Sequence, residues 1–102
     1  MGRSNGGSGS TLRVTGEMTI YRASELARHL LARLAKKPAA ARLDLSEVTE
    51  IDTAGLQIIL MLNRATAATG SRLVIVRPSN CVSEVLALCN LTHLQAGDEA
   101  AA

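Results

Sequence analysis

Polar and apolar residues alternate near the start of the chain, which predicts half-buried strands. The apolar positions are Leu12, Val14, Met18 and Ile20. A period of two places these side chains on one face of a strand and the polar side chains on the other. Because Gly16-Glu17 interrupts the pattern, we interpret residues 12–22 as a hairpin of two strands with Gly16 in the turn.

The spacing of apolar residues then becomes helical. They recur three and four positions apart, at Leu26, Ala27, Leu30, Leu31 and Leu34. This spacing is typical of a helix with one packed face. Ser24 is the predicted N-cap, and Pro38 ends the helix after Lys36 and Lys37, two cations that the helix dipole favours in a last turn.

Short strands and two more helices follow along the chain. The predicted elements are a strand at 42–46, a loop at 47–51, a helix from Thr53 to about Thr69, a strand at 72–77, a helix opened by Pro78 and Ser79, and a short final strand at 91–94. Gly70 lies where a glycine commonly follows a helix end. The unbroken apolar run at 72–77 predicts a strand that is covered on both faces.

This order, β-β-α-β-α-β-α with an optional last strand, predicts an α/β domain. Strands that alternate with helices favour a largely parallel sheet beyond the hairpin, joined by right-handed crossovers. We expect one domain over residues 11–96, with a mixed sheet of four to five strands. Residues 1–10 are rich in glycine and serine and are expected to form a flexible leader. Residues 97–102 are expected to form a disordered tail.

Composition excludes several classes of function. Aromatic residues make up 1% of the chain, Tyr21 alone, which excludes platforms that stack nucleic-acid bases. The formal net charge of +2 gives no argument for nucleic-acid binding. No apolar run approaches the ~20 residues of a membrane span, and His29 and His93 lack the spacing of metal ligands. Without a cofactor motif or a paired acid and base, we expect a cytoplasmic protein that is not an enzyme and holds no metal or cofactor.

The dipeptide Asp52-Thr53 begins the predicted long helix and is the main candidate site. The simplest interpretation is a helix cap, since every helix start needs one. The alternative is a phosphorylation site, because free N–H groups and the helix dipole stabilise a phosphate at such a position. The segment also carries acidic residues at Asp44, Glu47, Glu50 and Asp52. A phosphate on Thr53 would add about −2 charge among them, and the resulting repulsion would eject a partner docked on this helix end.

The helix that follows Thr53 is apolar nearly all round. One stripe is predicted to pack on the sheet: Leu56, Ile59, Leu60, Asn63 and Ala67. A second stripe is predicted to face outward or sideways: Ala54, Ile58, Met61, Leu62 and Ala65. The second stripe is either a protein-docking face or a surface that neighbouring helices cover.

Together, these motifs make the chain resemble a STAS domain, the family of bacterial anti-sigma-factor antagonists. The resemblance covers roughly Leu12 to Leu94. It rests on Leu43-Asp-Leu-Ser, on Ile51-Asp-Thr-Ala-Gly-Leu56, on Gly70-Ser-Arg-Leu-Val-Ile-Val76, and on Val82-Ser-Glu-Val-Leu-Ala-Leu-Cys-Asn-Leu91. The Asp-Ser/Thr-x-Gly-Leu core at Asp52 gains its specificity from this order and spacing of motifs within a β-β-α-β-α-β-α chain.

The resemblance implies a module that switches partners in signal transduction and transcription regulation. In the family, the hydroxyl residue after the Asp is phosphorylated by a partner anti-sigma factor, an ATP-dependent serine/threonine kinase, and a phosphatase reverses the modification. Thr53 would then be the phosphoacceptor. Asp52 would shape the acceptor site, Gly55 would allow close approach in the first helical turn, and Asp44 would end the strand beneath it. Ala54, Ile58, Met61 and Leu62 would dock the partner.

Two departures from the sporulation-type antagonists keep other roles open. The acceptor is Thr53 instead of serine, as in stressosome-type members, in chemotaxis-associated members and in small subunits of lipid-transport ABC systems. The chain also ends soon after Leu94, where longer members continue. The alternatives are therefore a non-catalytic ABC-transporter subunit that binds its ATPase, or an accessory protein of a chemotaxis cluster. A homodimer through the apolar stripe is a further option.

Overall fold

The computed structural model of this protein describes residues 11–36 and 41–95. Its elements are β1 (Thr11–Met18), α1 (Ala23–Lys36), β2 (Ala41–Ile51), α2 (Thr53–Ala68), β3 (Leu73–Ile75), α3 (Asn80–Leu88) and a 3-10 turn at Thr92–Leu94. The three strands form one sheet in the order β1-β2-β3, and both pairs are parallel. The predicted α/β class is confirmed, with three strands in the described ranges instead of four to five.

One face of this sheet carries the hydrophobic core. Along β1, Leu12 and Val14 are buried, whereas Arg13 and Thr15, which alternate with them, are exposed. Because strand order follows chain order, right-handed crossovers place α1 and α2 on the same face of the sheet, and the two helices also pack on each other. The largest fully buried side chains are Met18, Leu30, Leu43, Leu45, Ile59, Leu62, Ile75 and Leu86.

The predicted hairpin at residues 12–22 is wrong. β1 is a single strand that runs through Gly16 and pairs in parallel with β2, more than 20 residues further along the chain. Gly16 has a φ of +85°, and the register with β2 shifts between Gly16 and Glu17. A glycine in this conformation marks an irregularity inside a strand, and it resembles the glycine of a tight turn when only the sequence is read.

Three predicted boundaries also differ from the structure. β2 continues to Ile51, so the predicted loop at 47–51 is strand, because it pairs with the second half of β1. The helix α1 begins at Ala23, so Ser24 lies within its first turn and is not the N-cap. The predicted final strand at 91–94 is a 3-10 turn, and only Gln95 forms a bridge to β3, at Ile75.

Several expectations from the pattern are confirmed. α2 begins at Thr53, and Thr69 follows its last residue as the C-cap. Gly70 then adopts a φ of +82°, the left-handed conformation that favours glycine. All three residues of β3 are buried, as the unbroken apolar run indicated, although the strand is shorter than the predicted 72–77.

The remaining observations concern the chain ends and the groups around this core. The predicted leader at 1–10 and tail at 97–102 lie outside the described residues. In the described ranges, no helix is long and apolar enough to cross a membrane. The same ranges hold no group of three His, Cys, Asp or Glu side chains that could bind a metal ion. Cys81 and Cys89 are free thiols, with Cys89 exposed.

Candidate functional site

Asp52 connects the end of β1 to the start of α2. Its Oδ1 accepts a hydrogen bond of 3.1 Å from the Gly55 amide, the bond of an N-cap residue to the third residue of its helix. Its Oδ2 accepts a second bond, 3.0 Å, from the Ile20 amide. The Asp52 amide in turn donates to the Met18 carbonyl oxygen at 3.3 Å. One side chain therefore holds two segments that are 32 residues apart in the chain.

These bonds stabilise the ionised form of Asp52. Hydrogen bonds from the amides of Ile20 and Gly55, with a smaller contribution from Ala54, lower the pKa of the carboxyl group below its ordinary value. Slight desolvation acts in the opposite direction and is outweighed. At neutral pH the side chain is a carboxylate that accepts hydrogen bonds and donates none.

Gly55 lies where the first turn of α2 crosses the end of β1. A Cβ at this position would collide with the carbonyl oxygen of Met18, and would lie 2.9 Å from both the Met18 Cβ and the Ile51 Cγ1. No L side chain fits this contact without moving the helix or the strand. The first turn of α2 therefore packs closely against the last residues of β1 and β2, Met18 and Ile51.

Thr53 is the first residue of α2, and its side chain is exposed. Within residues 11–36 and 41–95, its hydroxyl forms no hydrogen bond. Thr53 follows the Asp52 carboxylate directly and lies at the helix end where the partial charge is positive. The hydroxyl is therefore accessible to an enzyme that approaches along this end of the sheet.

The turn at residues 19–22, which we call the anchor turn, was missed in the sequence because it was assigned to a hairpin strand. One guanidinium nitrogen of Arg22, Nη1, donates to the carbonyl oxygens of Thr15 and Glu17, both at 2.8 Å. The Arg22 amide also donates to the Thr19 carbonyl oxygen at 2.9 Å. Tyr21 is 90% exposed. The signal in the sequence was that the only aromatic residue of the chain lies outside every predicted helix.

The buried face of α2 differs from the prediction. Ile58 and Leu62 were predicted to face outward or sideways, either as a docking face or under neighbouring helices. Both are buried in the core, together with Gly55, Ile59 and Thr66, which agrees with the second alternative. Leu62 is therefore not available to a partner in this conformation, whereas Ile58, at 3% exposure, still lines a groove between α1 and α2. Of the four predicted docking residues, Ala54 and Met61 remain half-buried at the surface.

A shallow apolar groove lies between the first turns of α1 and α2. We call it the α1–α2 groove. It measures about 330 Å³, and its lining includes Ala23, Ala27, Ala54, Gln57, Ile58 and Met61. Ala54 follows Thr53 in the chain, so the groove begins beside the candidate phosphoacceptor.

Asp44 lies inside β2, so the resemblance was wrong in implying that it ends the strand. Seven strand residues, at about 3.3 Å each, separate it from Asp52. Its Oδ1 accepts bonds from the amide and the hydroxyl of Ser46 at 3.0 and 2.8 Å. Its Oδ2 lies 3.7 Å from Arg13 Nε and 3.8 Å from Arg77 Nη2.

The negative charge of Asp44 is thus balanced by Arg13 and Arg77, and not by groups at the start of α2. Burial alone would raise the pKa of Asp44, but the Ser46 amide and hydroxyl, with Arg77 and Arg13, lower it below its ordinary value. The acidic surroundings expected around Thr53 therefore exclude Asp44. Of the other predicted residues, Asp52 precedes Thr53 directly, Glu50 is exposed and paired in the β1–β2 register with Glu17, and Glu47 is exposed and paired with Thr15.

Comparisons with known proteins agree with this fold. The protein family described as "Mlab, STAS domain" matches residues 1–96. The chain is similar to the solved structure of a Thermotoga maritima protein assigned as an anti-sigma factor antagonist, with 27% identity and a TM-score of 0.74, over 83% of this chain and 74% of that one. It shares its fold with the anti-sigma factor antagonist SpoIIAA in its unphosphorylated form, at 16% identity and a TM-score of 0.71, over 83% and 75% of the two chains. Among curated proteins, none matches this chain significantly.

Proposed function

This chain belongs to the STAS domain family, and we propose that it is an anti-sigma-factor-antagonist-like module that binds a protein partner and is switched off by phosphorylation at Thr53. The partner is an anti-sigma factor with serine/threonine kinase activity. The kinase transfers the terminal phosphoryl group of its ATP to the Thr53 hydroxyl oxygen, ADP leaves, and the hydroxyl proton passes to a base on the kinase. A phosphatase restores the free hydroxyl. The module itself is not catalytic and works in the cytoplasm.

The observation that carries this proposal is the exposed Thr53 hydroxyl directly after the Asp52 N-cap. A phosphate on Thr53 would compete with the Asp52 carboxylate for the N–H groups at the start of α2, and the two negative groups would repel each other. Asp52 also holds the Ile20 amide. Displacement of its carboxylate would remove one of the contacts that hold the anchor turn, so a modification at one hydroxyl would alter the adjoining surface.

The test compares the wild type with Thr53→Ala and Thr53→Glu as baits for proteins from the native cell. Bound proteins are identified by mass spectrometry, and the affinity of each purified partner is then measured. We expect a kinase-fold anti-sigma factor to bind the wild type and Thr53→Ala, and to lose affinity for Thr53→Glu. Equal affinity of one partner for Thr53→Ala and Thr53→Glu would refute the switch. Incubation of that partner with ATP and the wild type should also add one phosphate, which Thr53→Ala lacks.

A second candidate function is that of a non-catalytic subunit bound to the ATPase of a lipid-transport ABC system. Two observations favour it: the family match carries the description "Mlab, STAS domain", and the residue after Asp52 is threonine. In that role Thr53 contacts the ATPase and need not be modified. Co-purification of an ABC ATPase, with no phosphate found on Thr53, would support this function over the first.

A further inference from the structure

The only aromatic residue of the chain is on its surface. Tyr21 is 90% exposed, and its neighbour Ile20 is 68% exposed. Large apolar side chains that point into water side by side are unusual in a protein whose other large hydrophobics form the core. In the described residues, only Leu88 on α3 is a comparably exposed large hydrophobic, at 86%.

The backbone that presents these two side chains is held in place from both ends. The Arg22 guanidinium binds the Thr15 and Glu17 carbonyl oxygens, and the Asp52 carboxylate binds the Ile20 amide. A turn ordered before binding loses little further conformational entropy in a complex. The anchor turn is therefore a preorganised surface, and tyrosine is among the residue types that dominate interface energies.

The apolar surface continues from the anchor turn toward Thr53. Ala23 follows the turn and lines the α1–α2 groove, which Ala54 and Met61 line from the other side. The turn thus leads along the chain directly into the groove, and the groove in turn includes Ala54 from the start of α2. Ile58 and Leu62, which the sequence placed on this surface, are in the core, so the exposed anchors lie in the turn and not on the helix.

The edge of the anchor turn is acidic, because the Glu17 carboxylate accepts a hydrogen bond from the Thr19 hydroxyl of the turn at 3.1 Å. Glu17 and Glu50 are exposed neighbours in the β1–β2 register, and Asp52 follows at the start of α2. Like charges opposite each other on adjacent strands destabilise a sheet, and a partner with positive charge would relieve that repulsion. A second copy of this chain would not, because a twofold contact places the same patch on both subunits.

We propose that Tyr21 and Ile20 are the anchor of the docking surface and that its partner presents an apolar pocket edged by lysine or arginine side chains. This inference rests on the proposed function, since it names the chemistry of the partner in that function and the residues that the partner contacts. In this arrangement, most of the binding energy comes from the anchor turn. The acidic edge makes association faster and sensitive to salt.

The test begins with p-benzoylphenylalanine, a photo-crosslinking residue, in place of Tyr21, and with the same residue in place of Leu88 as the matched control. Each full-length variant is irradiated in the native cell, and the cross-linked peptide is sequenced by mass spectrometry. We expect position 21, and not position 88, to capture one protein at a peptide that contains apolar residues together with lysine or arginine. A cross-link to this chain itself, no cross-link at position 21, or the same protein captured at both positions would overturn the inference.

The captured protein is then purified, and its affinity for variants of this chain measures how much each side chain contributes to binding. We expect Tyr21→Ser to weaken binding by ~30-fold or more, as hot-spot tyrosines do, and Leu88→Ser to leave it unchanged. The double variant Glu17→Gln, Glu50→Gln should weaken binding less and reduce its dependence on salt. Equal affinities of Tyr21→Ser and Leu88→Ser would refute the anchor. Because the switch is read from Thr53→Glu, loss of binding by Tyr21→Ser with retention by Thr53→Glu would preserve this inference and reject the phosphorylation switch.

Discussion

The carboxylate of Asp52 accepts a hydrogen bond from the amide of Ile20 at 3.0 Å, across 32 residues of chain. The same carboxylate caps α2 through the Gly55 amide. The start of the helix that carries Thr53 and the turn that carries Tyr21 are therefore held by one side chain. A change at either end acts on both, which is the physical basis of a local switch.

Substitution Asp52→Asn should separate these two roles. Asparagine has one acceptor oxygen where aspartate has two, so one of the bonds to Ile20 and Gly55 is lost. We expect a lower urea midpoint than that of the wild type, and a shift of the Ile20 or Gly55 amide signal in an NMR spectrum. Glu50→Gln, two residues earlier, is the matched control and should leave both amide signals in place. Unchanged amide signals in Asp52→Asn would contradict this assignment.

Gly55→Ala should destabilise the protein. The new methyl group would meet the Met18 carbonyl oxygen and the Ile51 side chain, and overpacking of this kind typically costs about 1–3 kcal/mol, partly offset by the better helix propensity of alanine. Chemical denaturation followed by circular dichroism measures the difference. Gly70→Ala is the comparison: its Cβ would meet open space, so only the strain of its positive φ remains. Greater stability of Gly55→Ala than of the wild type would show that the close approach is absent.

The buried face of α2 can be tested with two leucines two positions apart. Leu62 is fully buried, whereas Leu60 is half-buried. Leu62→Ala should lower the free energy of unfolding by about 2–5 kcal/mol, the range for buried leucines, and Leu60→Ala should lower it clearly less. Equilibrium urea unfolding of the two variants checks the order. If Leu60→Ala lowered the free energy of unfolding more than Leu62→Ala, Leu60 would face the core, as the sequence pattern predicted.

Acid should weaken the fold in part through Asp44. Its pKa is lowered in the folded state, so its ionised form stabilises the fold above the ordinary pKa of an aspartate. That contribution is lost as the pH falls through the ordinary value toward the lower folded value. Urea midpoints measured from about pH 6 to about pH 3 should fall less steeply for Asp44→Asn than for the wild type. Ser46→Ala, which removes one hydrogen bond to Asp44, should lie between them; identical profiles for all three proteins would exclude this role of Asp44.

The ends of α2 were predictable because their signals are local. Asp52 caps the helix through an amide three residues later, and Gly70 adopts the positive φ that follows a helix end. Each signal depends on residues within one helical turn. The position of Thr53 at the helix start followed from the same local chemistry, and this is why the candidate phosphoacceptor was placed correctly on α2.

The predictions were wrong where the structure depends on contacts between residues far apart in the chain. A Gly-Glu break between alternating apolar residues predicts a hairpin, but the partner of β1 is β2, and the bulge at Gly16 is held by Arg22 from the next turn. The apolar helix α2 has two plausible buried faces in its sequence. Packing against β1 at Gly55 selects the face of Ile58 and Leu62.

By itself, the sequence determined the α/β class, the limits of the long helix, the burial of β3 and the Asp52-Thr53 motif at the helix start. These features depend on periodicity and on capping within a few residues. Only the tertiary structure decided that Asp44 lies among arginines away from Thr53, that Asp52 holds the Ile20 amide, and that Tyr21 stands exposed beside the α1–α2 groove. Each of these depends on which strands pair and on which face of a helix packs, and those choices are set by close contacts between segments far apart in the chain.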